Sequence, residues 1–199
     1  MSGDSRASRK PLSHRRIVTL AGVVLLLTII IALMLLIQSH RLPSGTAFPT
    51  VSAELSDKRQ AILAIAQAEY ENPQKATAYS EGVKEPWCAD FVSWVFREAG
   101  YPFENPNTGS WRIPGTMTLL DYFREIEVWQ EYDAAIKPLP GDVVIYNHFG
   151  YFGQHANIVV FVEGDIIITI DGNRSGGIGL SQFDWTDWKA NTLGFARID

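Results

Sequence analysis

Residues 86–100 read PWCADFVSWVFREAG. Phe91, Val92, Val95, Phe96 and Ala99 recur at three- and four-residue spacing, which predicts an amphipathic helix with proline at its start and Gly100 just past its end. Cys88 falls in the first turn of that helix. There the unpaired backbone N–H groups and the positive end of the helix dipole stabilise a thiolate. Cys88 is the single cysteine among 199 residues, so the chain forms no internal disulfide and no cysteine-based metal cluster.

Upstream, residues 56–69 carry Ile62, Ile65, Ala66 and Glu69 on one helical stripe, with Ser56 as the expected N-cap and Asp57 at the favoured helix end. A looser stretch, 72–85, leads into the Cys88 helix. Downstream, 101–116 (YPFENPNTGSWRIPGT) reads as a long surface loop and 117–129 as a third helix. The period then changes from helix to strand. Residues 142–146, 155–162, 166–170, 177–183 and 193–198 read as strands separated by Gly, Asp and Asn punctuation. Three helices followed by a run of strands predict an α+β domain with a mainly antiparallel sheet.

The N-terminal quarter differs in kind. Residues 17–37 (IVTLAGVVLLLTIIIALMLLI) contain no charge and are long enough to span a bilayer as a helix, longer than the apolar core of a cleaved signal peptide. Five Lys and Arg precede this run and only Arg41 follows closely, which predicts a cytoplasmic N-terminus and an extracytoplasmic domain. The expected organisation is a basic tail over 1–16, a transmembrane helix over 17–37, an extended tether over 38–52 and a catalytic domain over 53–199. Residues 1–41 hold six basic side chains and one acid, leaving 11 basic against 21 acidic side chains beyond them. A domain so acidic gains nothing from phosphate contacts, which argues against nucleic acid as a partner.

A nucleophilic thiol needs a base, and histidine is the usual one. His14 lies in the basic tail and His40 in the tether, leaving His148 and His155. His155 opens the strand HANIVVFV, a rigid element, whereas His148 sits in the loop NHFGYFG, so His155 is the expected base. The imidazole needs an orienting carboxylate or amide. Asp171 and Asn173 end the next strand in IDGN, one hairpin away, and both remain open for that role.

WCADFVSWVFREAG, PGDVVIY, HANIVVFV and IDGN, in this order and spacing, resemble the CHAP domain, the cysteine- and histidine-dependent amidohydrolase/peptidase family. The resemblance covers about residues 62–198. It implies a papain-like fold of the NlpC type and cleavage of an amide bond in bacterial peptidoglycan by an endopeptidase or N-acetylmuramoyl-L-alanine amidase. Cys88 matches the nucleophile, His155 the base, and Asp171-x-Asn173 the family's Glu-x-Asn, with an aspartate one methylene shorter. Trp87, Trp111, Tyr151 and Phe152 are the expected substrate-groove aromatics. Some relatives bind calcium through acids around the cysteine, and Glu81, Glu85 and Asp90 occupy such positions, although the full ligand set does not match. No other cofactor is implied. Competing readings are a thiol acyltransferase on the same fold, and a non-catalytic membrane-tethered scaffold that binds wall or a protein of the cell envelope.

Overall fold

The computed structural model describes residues 22–31, 42–43, 45–174 and 177–199. The chain divides into two compact units, 1–38 and 39–199. In the first unit, residues 22–31 are helical with exposed side chains. The rest of the span expected over 17–37 lies outside the described residues, as does the basic tail. Among the described residues, no helix is long and apolar enough to cross a membrane.

In the second unit, helix α1 (Asp57–Glu71) is capped by the Ser56 hydroxyl, which accepts the Arg59 N–H at 3.4 Å. It buries Ile62, Leu63 and Ala66. A four-residue helix, α2 (Ala76–Tyr79), lies in the stretch expected to be irregular. Helix α3 (Cys88–Glu98) is buried without a break from Cys88 to Phe96, not along one face alone. Its polar residues therefore need partners. The Ser93 hydroxyl finds two, donating to Ala89 O at 2.9 Å and accepting the Ile113 N–H at 3.2 Å.

Helix α4 (Thr116–Glu125) ends four residues earlier than the apolar spacing suggests. Glu127 takes a left-handed conformation (φ 60°) and the Val128 N–H closes on Phe123 O at 3.1 Å, a Schellman-type stop. Trp129, the last residue of the expected helix, is thereby released to begin a short strand, β1 (Trp129–Glu131).

The remaining strands are β2 (Val143–Tyr146), β3 (His155–Glu163), β4 (Ile166–Arg174), β5 (Gly177–Asp184) and β6 (Thr192–Ala196). All six form one antiparallel sheet in the order β1-β6-β2-β3-β4-β5. One face packs on the helices through Val143, Ile145, Ala156, Ile158 and Ile170. The other carries a second apolar cluster that includes Val144, Tyr146, Val159, Ile167 and Phe183. Burial on both faces explains why VVIY and IIITI are continuous apolar runs and not alternating ones.

Residues 42–43 and 45–51, expected to be part of an extended tether, are laid along the domain. The Leu42 N–H donates to Leu180 O of edge strand β5 at 3.0 Å, and the Tyr70 hydroxyl donates to Thr46 O at 2.7 Å. Leu42, Phe48 and Val51 pack on the main core. The reason is apolar content: these three side chains recover more by covering the core than they lose in chain freedom.

Candidate active site

Helix α3 points its first turn at the end of the sheet where β3 begins. Trp87 is the N-cap residue and Cys88 the first helical residue, and Cys88 is only 5% exposed. His155, the first residue of β3, is 4% exposed and makes a hydrogen bond with the Cys88 thiol. The backbone N–H groups of Ala89 and Ala156 also point at the sulfur. His155 Nε2 stands 3.0 Å from Asp171 Oδ1, which leaves Nδ1 as the nitrogen for the thiol.

Strand alternation builds this site. His155 and Asn157 share one face of β3, and Thr169 and Asp171 share the matching face of β4, the two strands being in register at Ile158 and Ile170. Asn157, which sequence reasoning passed over, is fully buried and donates through Nδ2 to both Asp171 Oδ1 and Thr169 Oγ1, each at 2.9 Å. The Tyr146 hydroxyl donates to Asn157 Oδ1 at 3.3 Å. The only sequence signal for Asn157 was its position two residues beyond His155. Phe152 lies parallel to the imidazole, with ring centroids 6.3 Å apart and planes at 7°.

These contacts set the charges. Burial pushes the His155 pKa down, but the hydrogen bonds and charges of Asp171 and Cys88 outweigh it and bring it to about 9. Burial pushes the Cys88 thiol up, and the His155 hydrogen bond and charge with the two backbone N–H groups reverse this and lower it. Burial likewise raises Asp171, and the imidazolium overrides it, so this carboxyl falls below its ordinary value. The favoured state is a thiolate against an imidazolium that is held by a carboxylate.

Other residues expected at the site are distributed differently. Asn173 does not meet the imidazole: the register of β4 with β5 slips between Asp171 and Arg174, and Asn173 turns left-handed (φ 57°) with its side chain exposed. It lines a cleft of about 380 Å³ together with Thr77, Ser80, Val83, Lys84 and Trp87. Trp87 stacks on Tyr79 at 5.1 Å while lining this cleft. Trp111 instead sits under the Arg97 guanidinium at 4.1 Å, in the last turn of α3. That is nine residues, or about 13 Å along the axis, beyond Cys88. Tyr151 packs in the second apolar cluster against Phe152, with ring centroids 4.8 Å apart. His148 is exposed beside Phe149.

The three acids suggested as calcium ligands converge on a side chain. Arg112 Nη1 is 2.6 Å from Glu85 Oε1 and 2.6 Å from Asp90 Oδ1, and Arg112 Nε is 3.5 Å from Glu81 Oε2. A guanidinium thus stands where a calcium ion would need to be, and the residues do not fit that ion. Burial raises Asp90 to about 6 in spite of Arg112.

The arrangement is that of an α+β domain with a cysteine–histidine–aspartate site on the end of an antiparallel sheet. Residues 79–173 match the family model of the CHAP domain, and the chain carries a domain of that type. Similar solved structures include Ly7917 with the hydrolyzing product of MDP, at 16% identity and TM-score 0.43, covering 70% of this chain and 62% of that one. Another is a protein similar to lipoprotein, of the NLP/P60 family, from Staphylococcus aureus subsp. aureus Mu50. It is 18% identical with TM-score 0.39, covering 77% of this chain and 45% of its own. The chain therefore spans less than two thirds of either protein. No curated protein sequence matches it.

Proposed function

We propose that this chain is a membrane-anchored peptidoglycan hydrolase that cleaves an amide bond through a Cys88 thioester. The observation that carries the reading is the buried relay from Cys88 through His155 to Asp171 Oδ1, at 3.0 Å from the ring. The Cys88 thiolate attacks the scissile carbonyl carbon, forming the C–S bond, and backbone N–H groups at the start of α3 receive the oxyanion. The His155 imidazolium gives its proton to the departing nitrogen as the C–N bond breaks. Water then attacks the thioester and yields a proton to His155, and the C–S bond breaks to return the thiolate. Asp171 keeps the imidazolium oriented and stabilised throughout.

The cleft beside Trp87 is the course for the stem peptide, with Asn173 on its wall. Residues 17–37 hold the domain at the outer face of the membrane, which suits local wall remodelling by an envelope protein. The test is incubation of the full-length chain, beside Cys88→Ala, with peptidoglycan of known type, followed by mass spectrometry of released fragments. Cys88-dependent products with new amino and carboxyl ends support the reading and name the bond. A product joined to an added amine identifies acyl transfer. No Cys88-dependent product from any wall type overturns it.

A further inference from the structure

Arg174, the last residue of β4, has no role in the mechanism above. Its guanidinium is held over the Phe152 ring, 5.2 Å from the centroid, and the same ring lies parallel to the His155 imidazole. Burial raises the Asp171 carboxyl and His155 lowers it, and the charge of Arg174 acts in the same direction as that of His155. Yet Arg174 forms no ion pair with Asp171, whose Oδ1 is taken by His155 and Asn157, and its side chain donates no hydrogen bond to any described residue. Beyond residue 41 the chain holds 11 basic against 21 acidic side chains, so a cation without a carboxylate needs a reason. Arg59, Arg97, Arg112, Arg124, Lys137 and Arg197 each have one. Lys84, on the cleft that Asn173 also lines, has none among the described residues, while its neighbour Glu85 turns to Arg112 at 2.6 Å. A cation–π contact uses the face of a guanidinium and leaves the N–H groups along its edge free, the geometry that receives a carboxylate through two parallel hydrogen bonds. Arg174 is also half-buried, where a charge acts more strongly than in open water.

We propose that Arg174 is a specificity-determining residue that binds a carboxylate of the substrate, so that the preferred substrate is an anionic peptide with a free carboxylate near the scissile amide. Lys84 gives the cleft walled by Asn173 the same sign. The inference rests on the hydrolase reading for the identity of the ligand. Its test measures binding apart from turnover, so the two readings fail separately.

Synthetic N-acetylmuramoyl stem peptides are prepared with all carboxylates free and with each carboxylate in turn replaced by a primary amide. Their kcat/KM is measured with the full-length chain, and their affinity for full-length Cys88→Ala by calorimetry. One amide replacement is expected to lower both quantities about tenfold, the loss of a charge-assisted bidentate pair. In Arg174→Gln the acid and amide forms should differ by less than about twofold, because the variant loses the acid form's advantage and leaves the amide form nearly unchanged. A purely structural role would lower both forms alike. Arg174→Lys, which keeps the charge without the fork, should retain only part of the preference, and it decides the matter where Arg174→Gln does not fold. Cleavage of acid and amide forms alike by wild type, or a full preference in either variant, overturns this inference and leaves the hydrolase reading standing. An Arg174-dependent preference in binding without turnover supports the carboxylate site and overturns hydrolysis. Neither binding nor cleavage overturns both.

Discussion

Asn157 Nδ2 and His155 Nε2 meet the same atom, Asp171 Oδ1, at 2.9 and 3.0 Å. The carboxylate that orients the imidazole is thus itself fixed by an amide one pleat further along β3. Asp171→Asn keeps the volume but removes the charge that holds His155 protonated and its ring nitrogen correctly assigned. A fall in kcat/KM of at least about 100-fold is expected, read on released wall fragments. Asn157→Ala leaves Asp171 in place with one donor fewer. It should cost about 1.5–3 kcal/mol of stability in urea unfolding and lower kcat more than it changes KM. Equal rates for wild type and either variant would remove the relay from the mechanism.

The pH dependence follows from the same contacts. His155 lowers the Cys88 thiol, so iodoacetamide should react with a midpoint below that of a free cysteine. His155→Ala leaves burial unopposed by an imidazolium, and the midpoint must then move upward. At the alkaline end the order reverses. His155 titrates at about 9, and above that pH the departing amine has no acid, so hydrolysis should decline there while alkylation continues to rise or stays level. A hydrolysis rate that climbs through pH 9 with the alkylation curve contradicts the assignment of His155 as the acid.

Gly172, between Asp171 and Asn173, is required by space. A Cβ on this residue would lie 2.5 Å from Phe91 Cβ and 2.9 Å from Trp87 Cζ3. Strand β4 therefore touches α3 at the point that sets the distance between the Cys88 and Asp171 elements. Gly172→Ala is expected to cost about 1–3 kcal/mol in unfolding and to reduce activity further than the lost fraction of folded protein explains. Thermal melting and specific activity at a temperature where the variant is fully folded separate the two effects.

Much of this site was legible because its main parts lie on regular elements. The 3.6-residue period bounded by Pro86 and Gly100 put Cys88 on a helix start, and strand alternation put His155 at a strand end with Asp171 one hairpin away. What was not legible depends on burial that no local pattern reports. Asp90 and Ser93 look like the solvated side of an amphipathic helix, and only the packing of residues 105–113 over α3 covers them. Asn157 sits in an apolar run whose far face is also covered. The slip between Asp171 and Arg174 breaks the two-residue period, so Asn173 moves from the imidazole to the cleft. Glu127, a non-glycine residue in a left-handed conformation, stops α4 where the apolar pattern continues.

The segment before α1 supplies the last expectation, because a domain boundary at residue 53 cuts through packed structure. Leu42 occupies Leu180 O on β5, the outermost strand of the sheet, and Phe48 meets Tyr70 with ring centroids 5.9 Å apart. A fragment beginning at residue 53 loses the apolar cover of Leu42, Phe48 and Val51 and leaves a β5 carbonyl unpaired at the sheet edge. Partial burial of three such side chains is worth about 2–4 kcal/mol. At about 2–4 °C per kcal/mol for a domain of this size, the fragment should melt roughly 5–15 °C below one beginning at residue 42. It should also self-associate more readily, since an uncovered strand edge pairs with its own copies. Scanning calorimetry and sedimentation on the two fragments check this. Identical melting temperatures would mean that residues 42–51 lie on the domain without stabilising it, and that the strand edge is protected by its own side chains.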